Sequence, residues 1–289
     1  MGPARAVAVV AVVTDSTAYL PDGLAEQHAI VVVPLHVALG GWSGQESLEV
    51  APSDVAAALG ARRVQVTTSR PTPGQFASAY RATGAKTIVS VHLSSALSGT
   101  TDSARLAAAD VKDEGIDVRV VDSRSVAMGL GFPVLAAALA AGEGADVDAV
   151  EAAARAAVDV TRAFFYVDTL EHLRRGGRVT AASALVGTAL AVKPLLGVRD
   201  GEIVLLEKVR TFSKALARLV ELVCEAAGDA PVDVAVHHLA APARAALLAE
   251  QLRAAVPGLG ASYLSEVGAV VGAHVGPGML AVAVWRHQP

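Results

Sequence analysis

The first 160 or so residues alternate β-branched runs with alanine-rich helical stretches, and four of the strand-like runs lead into hydroxyl-bearing clusters. The clusters are Thr14-Asp15-Ser16-Thr17, Thr67-Thr68-Ser69, Ser94-Ser95-Ala96-Leu97-Ser98-Gly99-Thr100-Thr101 and Asp122-Ser123-Arg124-Ser125. Strand–helix alternation leaves little choice of architecture. It makes a largely parallel sheet covered by helices on both faces. In open sheets of this kind ligands bind beyond the carboxyl ends of the strands, where helix N-termini point. Hydroxyls placed there donate to an anion without competing with it for charge. The expectation is a crevice that holds a negatively charged group.

Strands are expected at Ala6–Val13, Ile30–Val37, Val64–Thr67, Thr87–Leu93 and Val118–Asp122. Helices are expected near Leu20–Gln27, Ser53–Ala61, Gly74–Thr83, Thr101–Ala109, Met128–Ala141 and Asp148–Thr161. The pattern then becomes mixed. Strands fall at Ala163–Asp168, Glu202–Val209, Val232–His238, Ala261–Glu266 and Met279–Arg286, and helices at Leu170–Arg174, Ala182–Leu190, Phe212–Ala227 and Pro242–Ala255. This predicts two α/β domains, 1–161 with a largely parallel sheet and 162–289 with a mixed one.

Hydrophobic residues make up 53% of the 289 residues and charged residues 18%, so a large core is available and disorder is excluded. A formal net charge of −4, with no Lys/Arg run interleaved with aromatics, argues against a nucleic-acid binder or DNA-associated regulator. The lone cysteine, Cys224, excludes an intrachain disulfide and a cysteine-based zinc site, and is expected as a small buried hydrophobe. Ala6–Val13 is apolar but runs straight into Asp15, which suits a buried first strand better than a signal core. The uncharged stretches Ser125–Gly142 and Val267–Trp285 are too rich in Gly and Ala for membrane spans. A soluble cytoplasmic protein with at most transient membrane contact is expected.

Three serines and two threonines fall within Ser94–Thr101, between a strand and a helix. Helix capping employs one such serine, with Ser98 in the capping position; an anion site employs Ser94, Ser95 and Ser98 together. Thr68 and Ser69 have the same layout ahead of Pro71 and Pro73. Asp15 is placed to orient a hydroxyl, and one carboxylate makes a poor metal site. Arg174 and Arg175 suit a helix C-terminus. Arg178, beyond Gly176-Gly177, is the better ligand candidate. His274 sits among four glycines and a proline in Gly268–Gly278, a frame that signals close backbone approach. No dinucleotide fingerprint, Walker loop or Gly-x-Ser-x-Gly elbow occurs.

Together these segments resemble the DegV family of bacterial proteins. The matching residues are Thr14–Thr17, Thr68–Thr72, Leu93–Thr100, Arg175–Arg178, Lys193-Pro194 and Gly272–Gly278, in family order along nearly the whole chain. The resemblance implies a two-domain α/β protein holding one long-chain fatty acid between its domains, with no other cofactor and no chemistry of its own. In FakB-type members the acid is presented to a separate fatty acid kinase subunit, which uses ATP to make acyl phosphate. Carried onto this chain, the resemblance makes Thr68 and Ser98 the expected carboxylate ligands. Ser95, Ser69 and Ser94 are neighbours, and Arg178 and His274 lie near the headgroup. Arg70 departs from the family's usual glutamine. The alternative is an enzyme acting on acyl esters or acyl phosphates, with Ser98 as nucleophile or His274 as acid/base.

Overall fold

The computed structural model describes residues 10–61, 64–179 and 192–287. In chain order it contains β1 (Val10–Asp15), α1 (Leu24–Gln27), β2 (Ile30–Val33), β3 (His36–Leu39), β4 (Trp42–Gln45), α2 (Pro52–Gly60), β5 (Val66–Ser69), α3 (Pro73–Ala82), β6 (Thr87–His92), α4 (Thr100–Val111), β7 (Asp117–Asp122), α5 (Met128–Gly142) and α6 (Val147–Val160). There follow β8 (Thr161–Tyr166), α7 (Glu171–Arg175), β9 (Lys193–Arg199), β10 (Glu202–Val209), α8 (Phe212–Ala227), β11 (Val232–His238), α9 (Pro242–Ala255), β12 (Leu259–Glu266), α10 (Ala269–Val275) and β13 (Leu280–Arg286). Residues 6–9 of the expected first strand and the expected helix Ala182–Leu190 lie outside the described residues.

The strands form a parallel sheet in the order β2-β1-β6-β7, an antiparallel sheet β4-β3-β5, and a mixed sheet β10-β9-β8-β13-β11-β12. The change from the first two sheets to the third falls at Thr161. The parallel sheet is covered on both faces, as the continuous apolar strands require. Val10 and Val12 of β1, with Val89 and Val91 of β6, pack against α5 and α6. Val13 and Ile88 face the other way, onto Phe76 and Tyr80 of α3 and Ala104 and Ala107 of α4. The two-residue period sorts neighbouring valines to opposite cores. One face of the mixed sheet packs on α8 and α9. Its other face, with Phe165, Leu196 and Ile203, turns toward the N-terminal half.

Two features depart from the strand expectations. The run Ile30–Val37 is two strands in two different sheets. Pro34 breaks it, because proline has no N–H for the ladder, and the Leu35 N–H turns to Ser16 Oγ at 3.0 Å. Strands β4 and β9 were not expected. Each is joined to its partner by a two-residue hairpin, Gly40-Gly41 for β3–β4 and Asp200-Gly201 for β9–β10. All four hairpin residues have φ between 50° and 101°, as such turns demand. Cys224 is only half-buried on α8, beside the Ala255 carbonyl.

β1 ends at Asp15, which has no solvent exposure. Its carboxyl accepts the Thr17 N–H at 3.1 Å and Oγ1 at 2.5 Å, the Leu93 N–H at 3.0 Å, and bonds His92 Nδ1 at 3.0 Å. His92 Nε2 bonds Ser90 Oγ at 2.6 Å, and that hydroxyl meets Tyr80 OH at 3.0 Å. The Asp15 cluster therefore fastens the start of the Leu93–Gly99 loop from beneath. Among the described residues no group of three or more His, Cys, Asp and Glu is arranged to hold a metal. Replacing Asp15 by alanine leaves several buried donors unpaired, at ~1–3 kcal/mol each. Asp15→Ala is expected to lower the unfolding free energy by about 3 kcal/mol or more in urea titrations. A loss under about 1 kcal/mol would show that the network does not anchor the loop.

Candidate functional site

Between the inner face of the mixed sheet and the loops at the carboxyl ends of the N-terminal strands lies a cavity of about 330 Å³. That is within the ~300–1,000 Å³ range of small-molecule sites. Its body is apolar. Ala163 and Phe165 of β8 and Ala281 and Ala283 of β13 form one wall, and Val270, Val271 and Val275 of α10 another. Its polar lining is concentrated at one mouth, where Thr68, Ser69, Arg70, Ser98, Arg178 and His274 come together. His237 is an exception on the apolar side. It is fully buried, and both its nitrogens are engaged, Nε2 accepting the Met128 N–H at 3.2 Å and Nδ1 bonding Ser265 Oγ at 3.0 Å. Burial, above all, pushes its pKa down to about 4, so it is neutral.

Thr68 lies on β5 and His274 on α10, 206 residues apart, and Thr68 Oγ1 meets His274 Nε2 at 2.9 Å. His274 Nδ1 is buried with no partner. Burial first, and then the Arg178 charge, lower the His274 pKa to about 4, so the ring is neutral near pH 7. A neutral ring has one N–H, and an unpaired lone pair is less costly to bury than an unpaired N–H. The proton therefore belongs on Nε2, donating to Thr68 Oγ1. The Thr68 hydroxyl proton is then free to donate into the mouth.

Two close helix contacts fix this geometry. A Cβ on Gly176 would fall 2.2 Å from His274 Nδ1. A Cβ on Gly276, which has φ +76°, would fall 2.3 Å from His172 Cδ2. The rings of α7 and α10 thus rest on each other's terminal glycines. The glycine frame around His274 does mark close approach, and what approaches is the chain's own side chains: Glu46 and Tyr19 at Gly268, Leu239 at Gly272, His172 at Gly276 and Asp168 at Gly278. Glu46 is 1% exposed and was not foreseen from the sequence. Its carboxyl accepts Ser16 Oγ, Tyr19 OH at 2.8 Å and the Val270 N–H at 2.7 Å, and Tyr19 OH accepts the Val271 N–H at 3.0 Å. Burial pushes its pKa above the usual carboxylate value, against these hydrogen bonds. Glu46 lies in Gly-Gln-Glu-Ser, where no motif or periodicity sets it apart.

Arg178 donates from Nε to the Leu97 carbonyl at 3.2 Å and from Nη1 to the Gly176 carbonyl. Arg70 lies over Gly99, where a Cβ would fall 1.6 Å from its Nη1, so only glycine leaves it that place. Among the described residues no carboxylate pairs with either arginine. Ser98 does not cap α4. The cap position is Gly99, and Ser98 Oγ meets Thr100 Oγ1 at 2.9 Å.

Ser94 and Ser95 do not reach the cavity. Ser94 is buried, and its Oγ donates to the Gly201 carbonyl at 2.7 Å. Ser95 Oγ donates to Asp122 Oδ2 at 2.5 Å. The loop after Leu93 turns these two hydroxyls toward Gly201 and Asp122, so a run of serines does not present one face. The mouth is a set of neutral donors with two unpaired cations. Its chemistry suits a singly or doubly charged oxyanion on an apolar body. Among the described residues the hydrogen bond of Ser98 Oγ is to the Thr100 hydroxyl and not to a histidine or carboxylate.

Sheets from both halves closing on one cavity define an α/β protein built around an apolar pocket. The chain belongs to the DegV family. Residues 9–287 match the family described as uncharacterised DegV proteins. The DegV domain-containing protein SCO2569 of Streptomyces coelicolor is 56% identical over 278 residues, covering 95% of this chain and 98% of its own. A DegV family protein from Thermus thermophilus, whose structure is described for its fatty acid binding, superposes with a TM-score of 0.90. It has 31% identity, over 96% of this chain and 99% of the other. DegV of Bacillus subtilis, described as a fatty acid binding protein, superposes at 0.85 with 35% identity over the same shares.

Because His274 and His237 have folded pKa values near 4 against 6.5 as ordinary values, the unfolded chain takes up protons that the folded chain does not. Their contribution to stability is complete above pH 6.5 and is lost as pH falls from 6.5 to 4. Unfolding midpoints should fall through that window, and His274→Gln should flatten the slope. Identical slopes for wild type and variant would contradict the buried neutral ring.

Proposed function

We propose that this protein binds one long-chain fatty acid, with the acyl chain in the cavity and the carboxylate at the mouth. Thr68 and Ser98 donate to the carboxylate, Ser69 lies beside them, and Arg178 and His274 flank it. The observation that carries this reading is the apolar cavity ending at a Thr68 hydroxyl whose proton is left free by His274. Burying roughly a dozen methylenes at ~0.8 kcal/mol each gives on the order of 10 kcal/mol before ordering costs. Affinity then comes mainly from the chain, and orientation from the hydroxyls. A carboxylate with no such donors would be costly to bury.

In this reading residues 1–161 and 162–289 act as two domains with the ligand between them, working in the cytoplasm without a further cofactor. Among the described residues no helix is long and apolar enough to cross a membrane. The protein holds the acid and hands it to a separate fatty acid kinase subunit, which phosphorylates the carboxylate with ATP. Exposure of Ser69 and Arg70 at the mouth supports presentation to a second protein. The unactivated Ser98 hydroxyl favours a carrier over an acyl-transfer enzyme.

Displacement of a fluorescent acid by palmitate or oleate tests the assignment. Wild type should bind, and Thr68→Ala with Ser98→Ala should weaken retention by tenfold or more. Addition of a fatty acid kinase subunit and ATP should then yield acyl phosphate only from loaded protein. Unchanged binding by the double variant would reject these ligands.

A further inference from the structure

The fourth hydroxyl cluster, Asp122-Ser123-Arg124-Ser125, takes no part in the cavity described above. It borders a separate polar cleft of about 480 Å³. The facing side is formed by Arg162 at the start of β8 and by Arg199 and Asp200 at the β9–β10 hairpin. The cleft and the acyl cavity share only the wall residues Ala163, Phe164 and Val198. We propose that this cleft is a second ligand site and that it takes a phosphate group.

Three arginines line the cleft. Arg124 is paired with Asp159 at 2.6 Å. Arg162 donates Nη1 to the Asp159 and Thr161 carbonyls, at 2.7 and 2.9 Å, which leaves its remaining N–H groups available. Among the described residues neither Arg162 nor Arg199 is paired with a carboxylate. Asp200 is the one other carboxylate on the rim, so the cleft retains an excess of positive charge.

A second observation comes from Ser125. It lines the cleft and is only 9% exposed, yet its Oγ has no hydrogen-bond partner among the described residues. The hydroxyl is not sealed off, since His274 Nδ1 is the one enclosed polar side-chain atom without a partner among the described residues, so Ser125 Oγ opens onto the cleft. The loop around it is held in a costly shape. Arg124 has φ 50°, a left-handed conformation that non-glycine residues adopt rarely. Its N–H is tied to Asp122 Oδ1 at 2.8 Å, and the Ser94 N–H donates to the Ser125 carbonyl at 2.9 Å.

Guanidinium forks matched to an oxyanion with several acceptor oxygens, plus a neutral hydroxyl, are the donor set of a phosphate site. The cleft is larger than a bare oxyanion, so the phosphate belongs to a larger molecule, either a soluble phosphate ester or an anionic phospholipid headgroup. Calorimetry with inorganic phosphate and co-sedimentation with phosphatidylglycerol or phosphatidylcholine vesicles separate these sources at fixed ionic strength. Arg162→Ala with Arg199→Ala should weaken the observed binding at least tenfold, and Ser125→Ala should weaken it severalfold. Arg105→Ala with Arg253→Ala removes the same charge from exposed positions elsewhere and should leave binding intact. Phosphate uptake identifies a soluble ligand, and phosphatidylglycerol-specific sedimentation without it identifies the headgroup. Wild type that binds neither probe, or equal losses in the two arginine pairs, would overturn the proposal.

Discussion

The Glu46 carboxyl is the interaction on which the site depends. It is a buried acid held by Ser16, Tyr19 and the backbone of α10, so one group joins the end of β1, the β4 turn and the helix that carries His274. A buried carboxyl without partners would be strongly unfavourable. That penalty makes the arrangement specific, because any shift of α10 that breaks these bonds leaves the carboxyl or the helix N–H groups unpaired. The N-terminal half thereby decides where a C-terminal histidine sits.

From that fixed point the mouth assembles by close contact. α10 packs Val270 and Ala273 onto the small antiparallel sheet beside Val37 and Val55, and the same helix presents His274 to Thr68 at the end of that sheet. α7 docks on α10 through the His274–Gly176 and His172–Gly276 contacts, which bring Arg178 to the rim. Asp15 performs the matching task on the other side by holding the Leu93 backbone at the root of the Ser98 loop. Two buried acids and two histidine–glycine contacts therefore place four donors around one opening. Of these six anchoring groups only His274 lines the cavity.

Much of this was legible in the chain. The β-branched runs at Val232–His238 and the apolar faces of Phe212–Ala227 and Pro242–Ala255 appear as elements with the expected limits. They are long, strongly patterned and cleanly bounded. Thr68, Ser69, Ser98, Arg178 and His274 line one cavity from four separated stretches. The resemblance to the DegV family supplied what local pattern could not, the ligand class that we propose. What was not legible depends on direction. Composition counts the hydroxyls of Ser94 and Ser95, but the turn after Leu93 determines where they point, toward Gly201 and Asp122. Glu46 was invisible because its partners lie up to 224 residues away. The split of Ile30–Val37 was readable at Pro34, and both missed strands were announced by Gly-Gly and Asp-Gly hairpins.

Native mass spectrometry of the protein as purified from a bacterial host tests the central claim most directly. The expected spectrum shows one additional mass equal to a single long-chain fatty acid, released on denaturation and lowered in occupancy when Thr68 and Ser98 are replaced by alanine. Protein that is reproducibly empty, and stays empty after incubation with palmitate or oleate, would contradict it.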